Sequence, residues 1–168
     1  MNKKEDKNKK GEKETQDKQI ATHHEARRDY FVLESSEVGL VLVGCEVKSL
    51  RSARVNLAGS FAHFEGGELF VRNLYIALYE QGNRENPDPM RARKLLMKRA
   101  DLDKIASRVS EKRLTLIPLK LYFNKRGMAK MELGLCKGKT HGDQRDDIKK
   151  RDADREADRA MKSRNQRH

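Results

Sequence analysis

The sequence predicts a mainly β domain, an OB-like closed antiparallel barrel with flanking helices, followed by a basic tail that is disordered when free and helical when bound. Three observations carry this expectation. Leu119, Leu121 and Phe123 alternate with Lys120, Tyr122 and Asn124; after the turn Asn124-Lys125-Arg126-Gly127, Ala129, Met131, Leu133 and Leu135 alternate with Lys130 and Glu132. A period of two gives one apolar face and one polar face. Other short strand-like runs are punctuated by glycine and proline and interrupted by one helical stretch. Apolar residues are scarce before Ile20 and after Lys137, so the core has to be built between them. Periodicity alone fits a β-sandwich or a small α+β sheet nearly as well. Several short strands with a helical insertion, on a basic chain, favour the barrel that presents its surface to RNA.

Taken in order, residues 1–20 are mostly Lys, Glu, Asp, Asn and Gln. Such a segment cannot offset its ordering entropy and is expected to be a disordered, solubilising extension, with an RNA tether through its lysines as the alternative. The barrel is expected over residues 21–136. Tyr30-Phe31-Val32-Leu33 opens it as a strand, and Ser35-Ser36-Glu37 offers a turn or cap. Val38–Val43 reads as a buried strand, and Gly44 permits a bend. Beyond the bend, Glu46, Lys48 and Arg51 alternate with Val47 and Leu50, so one face packs while the other carries charge. Phe61–Phe64 and Leu69–Val71 flank Gly66-Gly67, a hairpin signal. Leu74–Tyr79 is a further strand, and Gln81–Pro89 breaks regular structure. Leu95, Leu96, Leu102, Ile105 and Val109 recur near a period of 3.6, which predicts one or two amphipathic helices over residues 90–112. Residues 137–168 form the tail. Arg151, Arg155 and Arg159 make one helical ridge, but a helix polar all round has no core to dock on, so this segment is expected to fray until RNA neutralises it.

The formal charge is +12, with charged residues at 38% against the usual quarter or so. The excess is spread along the chain: residues 1–20 are net +2, residues 21–136 net +6 and residues 137–168 net +4. A polyanionic partner explains this best; the alternative is a surface kept basic for solubility. Cys45 and Cys136 fall in apolar runs and are expected as buried thiols, without zinc-site spacing. No apolar window is long enough to span a bilayer and no signal peptide opens the chain, so a cytoplasmic protein without membrane contact is expected.

Catalysis has little support. The five histidines are scattered, no serine or cysteine sits in a nucleophile motif, and no glycine-rich phosphate loop is present. The expectation is a protein that is not an enzyme and needs no cofactor or metal, with His23-His24 an exposed polar pair and His63 facing solvent. Binding has more. Arg27-Arg28 precede Tyr30, and Arg91, Arg93 and Lys94 adjoin Leu95-Leu96, so cations can meet phosphate while a base or ribose packs beside them. Core packing is the competing account of Tyr30 and Leu95, and a solvated helix face that of the three cations.

The run Gly44-Cys-Glu46-Val-Lys48-Ser-Leu-Arg51 resembles the signature of the small protein B family, the SsrA-binding proteins of bacterial trans-translation. Further matching pieces are Ala26-Arg27-Arg28-Asp29-Tyr30-Phe31, Glu37-Val-Gly39-Leu, Asp88-Pro-Met-Arg91-Ala-Arg93-Lys94-Leu95-Leu96, Leu119-Lys-Leu-Tyr122-Phe, Gly138-Lys139 and Asp143-Gln144-Arg145 with Ile148-Lys149-Lys150-Arg151. The resemblance implies binding to the tRNA-like domain of tmRNA and its delivery to the A site of stalled ribosomes, with elongation factor Tu as an accompanying partner. The tail would then engage the small-subunit decoding centre and lie in the empty mRNA channel. On this basis Glu37, Leu96 and Arg93-Lys94 fall on tmRNA-binding positions, and Arg27, Arg28, Tyr30, Lys48, Arg51 and Arg91 join them. Gly138, Lys139, Asp143 and Arg145 fall on the ribosome-engaging motif, joined by His141, Lys149, Lys150, Arg151 and Arg155. The chain departs from the family pattern at His23-His24-Glu25, at Pro87 and at Gln144, where basic or histidine residues are usual. The alternative reading is a structural ribosomal or cold-shock-like OB protein that binds RNA without delivering it.

Overall fold

The computed structural model describes residues 17–165; residues 1–16 of the expected extension lie outside the described residues. Nine strands are described: β1 (Lys18–Thr22), β2 (Tyr30–Leu40), β3 (Val55–Asn56), β4 (Phe61–Glu65), β5 (Glu68–Arg72), β6 (Tyr75–Ile76), β7 (Arg93–Leu96), β8 (Thr115–Phe123) and β9 (Ala129–Gly138). The helices are α1 (Ala26–Asp29), α2 (Gly44–Arg51), α3 (Arg99–Lys112) and α4 (His141–Asn165), with a 3-10 helix at Glu80–Glu85. All strand pairings are antiparallel. One large sheet runs β8-β4-β5-β7-β2-β9, and β9 pairs in turn with β8; β1 adds to the remaining edge of β8, and β3 pairs with β6 apart from this sheet.

The expected hairpin is β8–β9. The Asn124 side-chain oxygen accepts from the amides of Arg126 at 3.0 Å and Met128 at 2.9 Å, and Gly127 takes φ 75°, a value glycine adopts without penalty. Met131, Leu133 and Leu135 then join Leu116, Leu121 and Phe123 in the main core. The run Leu116–Leu119 is buried on both faces, because α1 covers the outer one with Ala26 over Ile117, Leu119 and Cys136, and Tyr30 packs beside them.

Four expectations are corrected. Strand β2 stops at Leu40, and Gly44–Arg51 is a helix rather than strand beyond a bend. Glu46, Ser49 and Leu50 are its buried residues, a three-and-four spacing that only a helix puts on one face. Residues Arg93–Leu96 are strand, and the helix begins at Arg99; Leu95 lies opposite Leu69 and is buried while Leu96 is exposed, the alternation of a pleat. Of Leu74–Tyr79 only Tyr75–Ile76 is strand. Lastly, β1 begins at Lys18, inside the expected extension, because the edge of β8 offers unpaired backbone groups and Ile20 and Ala21 reach the core.

The tail, expected to be disordered when free and helical when bound, forms one helix over His141–Asn165. The Asp143 carboxylate accepts from the Thr140 amide at 3.0 Å and hydroxyl at 2.8 Å, and the Thr140 hydroxyl accepts from the Asp143 amide at 3.3 Å. This reciprocal cap, with alanines at 153 and 157, offsets the nucleation penalty that a wholly polar helix faces.

Candidate nucleic-acid interface

Glu37 lies on β2 opposite Glu132, with Lys130 at the next outward position on β9. The Tyr122 hydroxyl donates to its carboxylate, and Lys130 Nζ approaches the other oxygen at 3.0 Å. These two donors, Tyr122 first, hold the Glu37 carboxyl below its ordinary pKa, while burial and then the same contact push the Tyr122 phenol up. The carboxylate therefore stays an acceptor. Leu96 sits next to it at 50% exposure, opposite Gly39, where a Cβ would lie 3.4 Å from that of Leu96. Ser36, Glu37, Leu96, Met97, Lys98, Asp101 and Lys130 line one shallow depression. An apolar floor, two carboxylate acceptors and two lysines suit a nucleotide, whose base or ribose packs flat while its phosphate meets a cation.

The second cluster is buried. Arg93 has 0% exposure: Nε donates to Glu46 at 2.7 Å, Nη1 to the Leu74 carbonyl at 2.6 Å and Nη2 to the Pro89 carbonyl at 2.9 Å. Arg91 holds the same carboxylate with Nε at 2.9 Å and Nη2 at 2.6 Å, and the Val43 amide donates to it at 3.0 Å. Burial pushes the Glu46 pKa up, but the bonds from Arg91, Val43 and Arg93 outweigh it and leave it lowered. The expected phosphate contact at Arg93 is thus corrected. A guanidinium with no accessible surface acts through what it fixes, here the packing of α2 against β7. Lys48 and Arg51 of α2 remain exposed, Lys48 lying 5.1 Å above the Tyr79 ring. Lys94 is partly buried and paired with Glu68.

Around α1, Arg27 is exposed, Arg28 pairs with Asp29 at 2.8 Å, and Tyr30 is half-buried against the outer cluster. His23 is buried rather than exposed, its Nδ1 donating to the Pro118 carbonyl at 2.9 Å. His63 is half-buried and accepts from Arg72 Nε at 3.1 Å. Lys139, expected on the ribosome-engaging surface, is turned inward: its side chain is 6% exposed and paired with Asp147. Asp143 serves as the helix cap. Gly138 ends β9 opposite Tyr30. Arg145, Lys149, Lys150 and Arg155 are exposed along α4, the helix that also carries His141 and Arg151. Among the described residues, no three of His, Cys, Asp or Glu converge to hold a metal, and no helix is long and apolar enough to cross a membrane.

The family model described as SmpB protein matches residues 20–163. The chain belongs to the SmpB family. The SsrA-binding protein of Geobacillus thermodenitrificans is 52% identical over 147 residues, covering 88% of this chain and 94% of the relative. That of Bacillus subtilis is 50% identical over 145 residues, covering 86% and 92%. A solved structure described as "tmRNA-SmpB: a journey to the center of the bacterial ribosome" aligns with TM-score 0.62 at 48% identity, covering 76% of this chain and 93% of that chain.

Within this SmpB-family fold, Glu37 on β2 and Leu96 on β7 line the same depression. The structure adds Lys130 and Tyr122, which sequence reasoning took only as polar-face residues of the hairpin. A signal existed, since Tyr122 and Lys130 stand opposite each other across the turn. Their meeting with Glu37 depends on the β2–β9 register, which no local pattern encodes.

Proposed function

We propose that this chain is the tmRNA-binding adaptor of trans-translation. In this reading it binds the tRNA-like domain of tmRNA and, with elongation factor Tu on the aminoacylated RNA, brings it into the A site of ribosomes stalled without a stop codon. The supporting observation is the depression in which Glu37, Leu96 and Lys130 converge, on a chain of the SmpB family. Leu96 supplies a surface for a base or ribose, Glu37 accepts from a base or hydroxyl donor, and Lys130 and Lys98 face phosphate. Arg27 and Arg28 on α1 and Lys48 and Arg51 on α2, all exposed, add further cations to the surface. The antiparallel ladder that runs from β8 back to β8 is read as an OB-like closed barrel, the scaffold for this surface. The basic ridge of α4, with Arg145, Lys149, Lys150, Arg151 and Arg155, takes the empty mRNA channel, where a cationic helix meets phosphate on all sides. The site's task is recognition rather than bond-making, and its place is the cytoplasm, beside the ribosome.

Sequencing the RNA that copurifies with the tagged protein tests the reading, together with filter binding of tmRNA against an unrelated structured RNA. Strong enrichment of one tRNA-like RNA is the expected result. Equal affinity for both RNAs would refute the adaptor role in favour of a general RNA-binding protein.

A further inference from the structure

We propose that Lys139 and Asp147 form a clasp that aims the tail helix, acting as positioning residues within the chain rather than as contacts to ribosomal RNA. The Lys139 ammonium donates to the Arg27 carbonyl at 2.9 Å and to the Asp147 carboxylate, and it lies 4.7 Å from the centroid of the Phe31 ring. Its backbone amide donates to the Asp29 carbonyl at 2.9 Å. Lys139 is thereby tied to the α1–β2 corner through main chain and side chain. Asp147, eight residues on, transfers that hold to the second turn of α4.

Among the described residues, the helix has little else to fix its direction. It carries no apolar stripe, and Ile148 and Met161 are 52% and 69% exposed. A helix without an apolar face gains almost nothing by docking, so one ion pair near its root, its lysine enclosed and its aspartate half-exposed, carries disproportionate weight. The lever is long. Over the 25 residues of α4, a rise of about 1.5 Å per residue means a swing of about 20° moves the far end by roughly 13 Å. That is enough to take a basic ridge out of reach of its phosphates. The Thr140–Asp143 cap starts the helix, and the clasp sets where it points.

The functional arm of the test rests on the rescue reading; the structural arm does not. In the free full-length chain with Cys45→Ala, spin labels at Ala58 and Asp154 report the distance from barrel to tail. A narrow distribution that broadens in Lys139→Ala and in Asp147→Asn is expected, with thermal melts verifying that the barrel is folded. Equal widths in parent and variants would overturn the clasp, whatever the ribosome does. In reconstituted tagging of stalled chains, Asp147→Asn is expected to lose about tenfold in rate, the effect of one charged hydrogen bond, with tmRNA affinity unchanged. A lysine that worked by touching RNA gives the opposite sign, because removing a neighbouring carboxylate frees it; undiminished tagging in Asp147→Asn would therefore refute the proposal. The exchange Lys139→Asp with Asp147→Lys should recover part of the narrow distribution and of the tagging rate, and recovery of neither counts against it.

Discussion

Replacing Glu37 by alanine separates specific recognition from simple charge attraction, because the two predict opposite signs. The carboxylate is about half exposed and pairs with Lys130 at 3.0 Å. Exposed pairs of this kind contribute about 0.2–1 kcal/mol, so the fold should barely notice the change. For RNA the consequence is larger. Without Glu37, Lys130 loses the carboxylate it pairs with, and one more phosphate contact would steepen the salt dependence of log K by about 0.7–0.9 while tightening binding to any polyanion. If the carboxylate instead accepts from a base or ribose donor, truncation leaves that donor unpaired at a loss of about 1–3 kcal/mol, or roughly 5- to 150-fold in affinity. Filter binding of Glu37→Ala to tmRNA and to an unrelated structured RNA, each across a salt series, reads both effects. The expected result is weaker binding to tmRNA with unchanged or stronger binding to the control. Tighter binding to both would refute the specific contact and leave Glu37 as a surface partner of Tyr122 and Lys130.

Glu46→Gln should destabilise the fold by about 3–5 kcal/mol, since it leaves the Arg91 and Arg93 cations without a counter-charge in a buried site; a urea midpoint near that of the parent would show that the node is not needed. Because the folded pKa of Glu46 is lowered, its contribution is present above the ordinary carboxylate range and is lost as pH falls through the folded value, so parent and Glu46→Gln should converge in stability towards low pH. The Cys136 thiol is fully buried and pushed up to about 11; at pH 8 a thiol reagent should modify the native chain at Cys45 alone, with Cys136 reacting only on unfolding. A Cβ at Gly134 would lie 2.9 Å from Leu119 Cδ1 and 3.1 Å from Cys136 Sγ, so Gly134→Ala should lower stability by about 1–3 kcal/mol in the same urea titration. Ending the chain after Thr140 keeps β9 whole and removes α4; tmRNA affinity should persist while tagging is lost, and loss of affinity in a gel-shift assay would contradict that division of labour.

The hairpin over residues 115–138 was legible in the sequence because its strands alternate and its turn has only one economical backbone solution at Asn124–Gly127. The family signature and the basic balance were legible for a similar reason: they are properties of residue type and spacing, and the candidate pair Glu37 and Leu96 followed only from the resemblance that the signature carries. Other elements were not. Gly44–Arg51 satisfied both an alternating pattern and a three-and-four spacing, and the buried Glu46, whose carboxylate takes two arginines from residues 91–93 and the amide of Val43, decides for helix. Arg93–Lys94 read as a free basic pair, yet one side chain of β7 points into the node and the next points out, so burial separates two neighbours that composition makes alike. Lys139 carries the same charge as Lys149 and Lys150, but only the fold puts the Arg27 carbonyl, the Phe31 ring and Asp147 around it. A lysine's availability to RNA depends on which groups reach it first, and contacts across 112 residues of chain are set by register and packing, which leave no mark in the local sequence.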